Sequence, residues 1–183
     1  MKSFVLALTA LLAAGSAFAQ GTINFSTKIT GTVDAKVFYG VPGGATSPAG
    51  ADYSAQLYVG APGGALSAVG SAVPFRGDAG IGYITSGGKV TVPGVAGGSS
   101  ASVELRAWKT SLGASYEAAL AAGGGAYTGK SSPINITLGG GGTPPAPDAN
   151  LVGLQGFVIP VPEPSIAALG LLGAGLLVIR RKK

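Results

Sequence analysis

Between positions 23 and about 138, apolar and polar residues alternate with a period of two, the mark of strands with one buried face. Val33, Ala35, Val37 and Tyr39 fall on one face, and Asp34 and Lys36 on the other. Tyr53, Ala55, Leu57 and Val59 oppose Ser54, Gln56 and Tyr58 in the same way. Val103, Leu105 and Ala107 oppose Ser102, Glu104 and Arg106, while Ile134, Ile136 and Leu138 oppose Asn135 and Thr137. Shorter runs at 23–27, 68–75, 80–85, 89–92 and 151–159 are further strand candidates. Turn chemistry falls between them: Pro42-Gly43-Gly44, Pro62-Gly63-Gly64, Gly87-Gly88, Pro93-Gly94 and Gly97-Gly98. This spacing predicts an all-β passenger domain over 20–138, an antiparallel β-sandwich of about eight strands. Only 115–122 (SYEAALAA) has helical composition, and it reads equally as a strand.

Three local features break the alternation. Pro42-Gly43-Gly44-Ala45-x-Ser47 recurs as Pro62-Gly63-Gly64-Ala65-x-Ser67. A solenoid needs at least three copies, so two similar hairpin loops are the expected explanation. Trp108 falls on the polar face with Glu104 and Arg106, where it either stacks on a sugar or is returned to the core by a bulge. Residues 139–150 (GGGGTPPAPDAN) lack apolar periodicity and read as a linker, after which 151–159 forms a last strand or part of a stalk.

The two ends carry continuous apolar runs instead. Met1-Lys2 is a short positive segment, 4–14 is apolar, and Ala17-Phe18-Ala19 places small residues two apart before Gln20. This is the three-part pattern of a secretory signal peptide over 1–19, its apolar stretch too short to span a bilayer. Signal peptidase accepts small side chains at Ala17 and Ala19, so the mature chain is expected to start at Gln20; an uncleaved N-terminal anchor is the alternative. At the other end 165–179 carries no charge, and Arg180, Arg181, Lys182 and Lys183 follow at once. Fifteen residues of helix rise ~22 Å against a hydrocarbon core of ~30 Å, a mismatch that bilayer thinning and snorkelling arginines cover. The segment reads as a single transmembrane helix whose basic end stays cytoplasmic, and those four terminal cations argue against a buried core helix.

Placed along the chain, the net charge of +5 loses its first meaning. Basic and acidic residues balance between Gln20 and Glu163, and the excess sits on Lys2 and the last four residues. An excess confined to the termini orients a chain in a membrane, and no nucleic-acid partner is expected.

Val161-Pro162-Glu163-Pro164 stands directly before the apolar run. Each proline biases its predecessor away from helix, so Val161 and Glu163 are held extended, and Pro164 or Ser165 suits a helix start. An extended tetrapeptide at the outer membrane boundary has the geometry of a processing site. Pro162-Glu163-Pro164, a Gly/Ala/Leu-rich apolar helix and a terminal basic cluster together resemble the PEP-CTERM sorting tail, over about the last 23 residues. That resemblance implies recognition by an exosortase, a membrane-embedded, cysteine-dependent processing enzyme of Gram-negative, often biofilm-forming bacteria. It further implies processing near Pro162-Glu163-Pro164, a transient stay in the inner membrane, and delivery to the cell surface or extracellular matrix. Such tails occur on unrelated passengers, so the tail gives an address and not an activity.

Candidate chemistry is sparse. The chain has no Cys and no His, which excludes disulfides, Cys/His metal sites and any catalytic pair built on either residue. The seven acids are scattered singly without a calcium-loop spacing, and the glycine runs lack the residues of a phosphate-binding loop. No cofactor or metal is expected. The sequence therefore predicts a non-catalytic, exported surface or matrix protein. The alternative is an exopolysaccharide-binding module using Trp108, Tyr58 or Tyr127; a glycoside hydrolase would need two carboxylates brought together in a cleft.

Overall fold

The computed structural model describes residues 20–40, 42–85 and 87–160. The expected signal peptide at 1–19 and the tail at 161–183, with its apolar run 165–179, lie outside these residues. Among the described residues no helix is long and apolar enough to cross a membrane.

Strands dominate: β1 (Gln20–Asn24), β2 (Lys28–Ile29), β3 (Val33–Asp34), β4 (Phe38–Tyr39), β5 (Tyr53–Gly60) and β6 (Ser67–Pro74), then β7 (Lys89–Ala96), β8 (Ser100–Lys109), β9 (Thr128–Lys130), β10 (Ile134–Thr137), β11 (Ala149–Asn150) and β12 (Val158–Ile159). A five-stranded sheet runs β10-β8-β5-β6, with β9 also on β8, and a three-stranded sheet runs β11-β1-β7. Two small pairs, β2-β3 and β12-β4, complete the set.

The long ladder is β5 against β8, in unbroken antiparallel register from Tyr53↔Lys109 to Gly60↔Ser102. On one face of it Ala55, Leu57, Val103, Leu105 and Ala107 are completely buried, as their alternation requires. Ile23, Val90 and Val92 of the three-stranded sheet join the same apolar cluster, so one core serves both sheets.

Several expectations are corrected. Segment 80–85 forms no strand: Asp78 and Gly80 turn the chain, and Ile84 is then buried and bonded to Thr27 rather than to a ladder. Pro93-Gly94 does not reverse the chain but lies inside β7, where Gln20↔Ala96 and Gly21↔Val92 leave the intervening residues as a bulge. β7 is an edge strand, where a missing N–H costs no ladder bond, and Gly94 adopts φ +74°. The first Pro-Gly-Gly loop follows β4, whose only ladder partner among the described residues is β12; the second joins adjacent strands as a hairpin, closed by Gly64 N–H to the Ala61 carbonyl at 2.9 Å.

The sheet is not wholly antiparallel, and 139–150 does not behave as a linker. Gly139 and Thr22 exchange backbone bonds of 3.0 and 3.1 Å, and β11 runs parallel to β1 with Asn24 Nδ2 donating to Asn150 Oδ1 at 2.9 Å. A side chain at Gly139 would strike the Pro147 carbonyl, so glycine lets the stretch fold back on itself. Within 151–159 only Val158–Ile159 forms a strand, paired parallel with β4, while 151–157 is turn and irregular backbone; Leu151, Leu154 and Ile159 are core residues.

Residues 115–122 contain a helix, α1 (Tyr116–Ala121). Ser115 caps it, its hydroxyl accepting from Ala118 N–H at 3.2 Å, with Glu117 in the first turn.

Candidate functional site: an aromatic groove where the chain leaves the fold

The last described strand is held on both sides. Phe38 N–H donates to the Phe157 carbonyl and Gly40 N–H to the Ile159 carbonyl, each at 3.0 Å. On the other side Gly129 of β9 packs against Val158 and Ile159. Ile159 is fully buried and Pro160 exposed, so the chain emerges at position 160 with no spacer before Val161.

Beside this exit lies an open groove of about 410 Å³. Phe38, Tyr83 and Phe157 give it aromatic walls, with Pro42, Asp34 and Lys36 around them. Each element is placed by the backbone. The alternation at 33–37 buries Val33, Ala35 and Val37 and turns Asp34 and Lys36 outward. Val37 N–H donates to Gly82 at 3.0 Å, which brings Tyr83 alongside. Gly156 lies so close to the Lys36 carbonyl that any side chain there would collide, and this approach seats Phe157 and Val158 in the wall.

The charges in the groove are unequal. Asp34 is fully engaged: Lys28 Nζ donates to Oδ2 and Tyr83 OH to Oδ1, both at 2.6 Å. The Lys28 bond and then the Tyr83 bond hold its carboxyl below the usual range, so it stands as a fixed acceptor and not as a proton donor. Lys36 is different. Its ammonium lies 5.5 Å from the Phe38 ring centre and 5.9 Å from that of Tyr83, and among the described residues it forms no salt bridge. Behind Tyr83, a turn is fixed by Asp78, which accepts from Arg76 Nε at 2.8 Å, Nη2 at 2.6 Å and Gly80 N–H at 2.9 Å. The Arg76 bonds first, then Gly80, draw the Asp78 carboxyl down to about 2.

A second cluster covers the opposite face of the β5–β8 ladder. Trp108 sits there without any bulge, in continuous register with Ser54, yet is 1% exposed. The chain between β8 and β9 folds over it, and its Nε1–H donates to the Gly113 carbonyl at 2.9 Å. The expected return to the core is therefore corrected: the Trp is buried under a cover, not turned to the other face. Beside it Arg106 Nε donates to Glu104 Oε1 at 2.6 Å and Nη1 to Glu117 Oε1 at 3.1 Å, while Tyr58 OH donates to Glu117 Oε2 at 2.7 Å. The guanidinium stacks 3.9 Å from the Tyr58 ring centre. Burial, then the bond to Glu117, pushes the Tyr58 hydroxyl pKa well above its usual value. Trp108 and Tyr58 thus present no open face for a sugar, and Tyr127 is half-buried with Lys109 over its ring at 5.0 Å.

Of the residues singled out for processing, Gln20 is the first described residue and lies in β1, exposed and paired opposite Ala96. Ala17, Ala19, Val161, Pro162, Glu163, Pro164, Arg180, Arg181, Lys182 and Lys183 lie outside the described residues. The groove is not legible in the sequence: the alternation puts Asp34 and Lys36 on one face, and nothing in the spacing brings Tyr83 or Phe157 to them. The one legible signal was a strand presenting a charged residue at 34 and 36 and an aromatic at 38 on the same face.

Comparison with known proteins agrees with the tail. Residues 160–183 match the PEP-CTERM protein-sorting motif. No curated protein and no solved structure matches the chain. The motif marks a protein exported with a membrane-anchored sorting signal, processed by an exosortase-type enzyme and sorted to the cell surface.

Proposed function

We propose that this protein is a non-catalytic structural or interaction component of the cell surface or extracellular matrix, delivered there by its tail. The supporting observation is the junction at 160: the sorting match starts where the last strand ends, so passenger and address are continuous. The two larger sheets, sharing one apolar cluster, are read as the facing layers of a β-sandwich. Removal of 1–19 by signal peptidase leaves the described residues of β1, Gln20–Asn24, in the chain. In the precursor, 165–179 spans the inner membrane with Arg180 to Lys183 in the cytoplasm, and processing near Pro162-Glu163-Pro164 releases the passenger outward.

A binding role fits the site better than hydrolysis. Among the described residues the groove has one carboxylate, Asp34, tied to Lys28 and Tyr83, whereas glycoside hydrolysis takes two carboxyl groups ~5–9.5 Å apart across the scissile bond. The intact mass of the protein recovered from the surface of an exosortase-bearing Gram-negative host tests the proposal. It should correspond to a chain starting at Gln20 and trimmed near Pro162-Glu163-Pro164. A surface protein that keeps both Met1 and Lys183 would contradict it.

A further inference from the structure

We propose that the aromatic groove is a docking site for the chain's own proline-rich sorting peptide, 161–164, which it holds against the passenger before processing. The inference rests on reading that peptide as the sorting motif, and three independent features support it.

The first is reach. Val158 lines the groove and the chain emerges at Pro160, so the peptide starts at the groove's rim. An extended proline-rich chain advances ~3.1 Å per residue, which puts Glu163 about 9 Å beyond Pro160.

The second is surface chemistry. Pro160-Val161-Pro162-Glu163-Pro164 alternates proline with other residues and favours the polyproline II conformation. Peptides of that kind dock in grooves walled by aromatic rings, because the stiff chain loses little entropy and its prolines pack on ring faces. Phe38, Tyr83 and Phe157 supply such walls.

The third is charge. Glu163 is the only acid after Asp148, and Lys36 is the groove cation that forms no salt bridge among the described residues. Asp34, the only groove carboxylate among the described residues, is already neutralised by Lys28 and does not compete for it.

Tethering makes a weak groove sufficient. A short linker gives a local concentration of order 1 mM, so a Kd of ~100 µM would keep the site roughly nine-tenths occupied. The peptide would then meet the processing enzyme only when lifted from the passenger, which makes the folded domain a brake on its own release.

Zero-length carbodiimide coupling of the purified full-length chain in detergent micelles, mapped by mass spectrometry, tests this without any processing enzyme. Lys130 serves as the internal control: it follows Gly129, which touches the other side of β12, and lies outside the groove; because it pairs with Glu104 at 3.8 Å, each lysine's coupling is normalised to its labelling by a small carboxylate in the same sample. Docking predicts at least tenfold more Glu163–Lys36 than Glu163–Lys130 amide, within monomers, and loss of that preference in a Pro162→Ala/Pro164→Ala chain. Equal coupling to both lysines, coupling only between chains, or a preference that survives loss of the prolines would overturn it. None of those results bears on whether the tail sorts the protein, which localisation reads separately.

Discussion

A chain ending at Pro160 should fold as the full-length chain does, and a chain ending at Leu138 should not fold. The stretch 139–160 looks dispensable from composition, yet it contributes β11, β12 and three core side chains, Leu151, Leu154 and Ile159, which are 0–3% exposed. Burying an aliphatic side chain of that size contributes ~1.5–3 kcal/mol, so the three together supply roughly 5–9 kcal/mol. That is comparable to the ~5–15 kcal/mol total stability of an ordinary domain. Their removal also leaves one edge of β1 unpaired and takes away the backbone acceptors of Phe38 and Gly40, in and beside β4. Thermal unfolding followed by circular dichroism, with amide dispersion by NMR, separates the outcomes. A cooperative transition in the chain ending at Leu138 would show that the C-terminal segment merely decorates a finished core.

The second large effect is expected at Arg106. Glu104 is buried, its side chain 6% exposed, and Arg106 is its close partner at 2.6 Å, with Lys130 more distant at 3.8 Å. Removing one member of a buried pair leaves an uncompensated charge, which costs ~3–5 kcal/mol, whereas replacing both by neutral groups of similar shape is often close to neutral. Arg106→Ala should therefore lower stability by about 3–5 kcal/mol in urea denaturation, and the Glu104→Gln/Arg106→Met pair should recover most of it. Arg106 also stacks on Tyr58, so part of the loss is packing, and methionine restores some of that contact. A loss below about 1 kcal/mol for Arg106→Ala would mean that Lys130 alone satisfies Glu104.

What the residue pattern revealed, and what it hid, follows from the range of the forces involved. The β5 and β8 alternation was legible because a half-buried strand writes its burial into every second residue, and Ala55, Leu57, Val103 and Leu105 lie where that rule puts them. The back face of the same ladder was not. Glu104, Arg106 and Trp108 look solvated until 110–127 folds over them, and the cover is set by contacts far from β8 in the chain, such as Tyr58 to Glu117. Residues 139–150 misled for a related reason. Gly and Pro signal an absence of regular structure, but glycines at 139 and 156 here permit close backbone approach, which only the folded neighbours reveal. The sorting tail is the opposite case, since a membrane and a processing enzyme read a linear peptide, so its logic is written locally and the match at 160–183 agrees with it. The groove beside it combines both kinds of information: outward Asp34 and Lys36 from local alternation, Tyr83 and Phe157 from long-range closure.

The most direct test is where the protein goes without its tail. In an exosortase-bearing host, the full chain and a chain ending at Pro160 are each fractionated into cytosol, membrane, cell surface and medium. The tail should govern retention alone: the full chain on the surface in trimmed form, the shortened one exported and folded but absent from membrane and surface. Surface retention unchanged by loss of 161–183 would contradict the account.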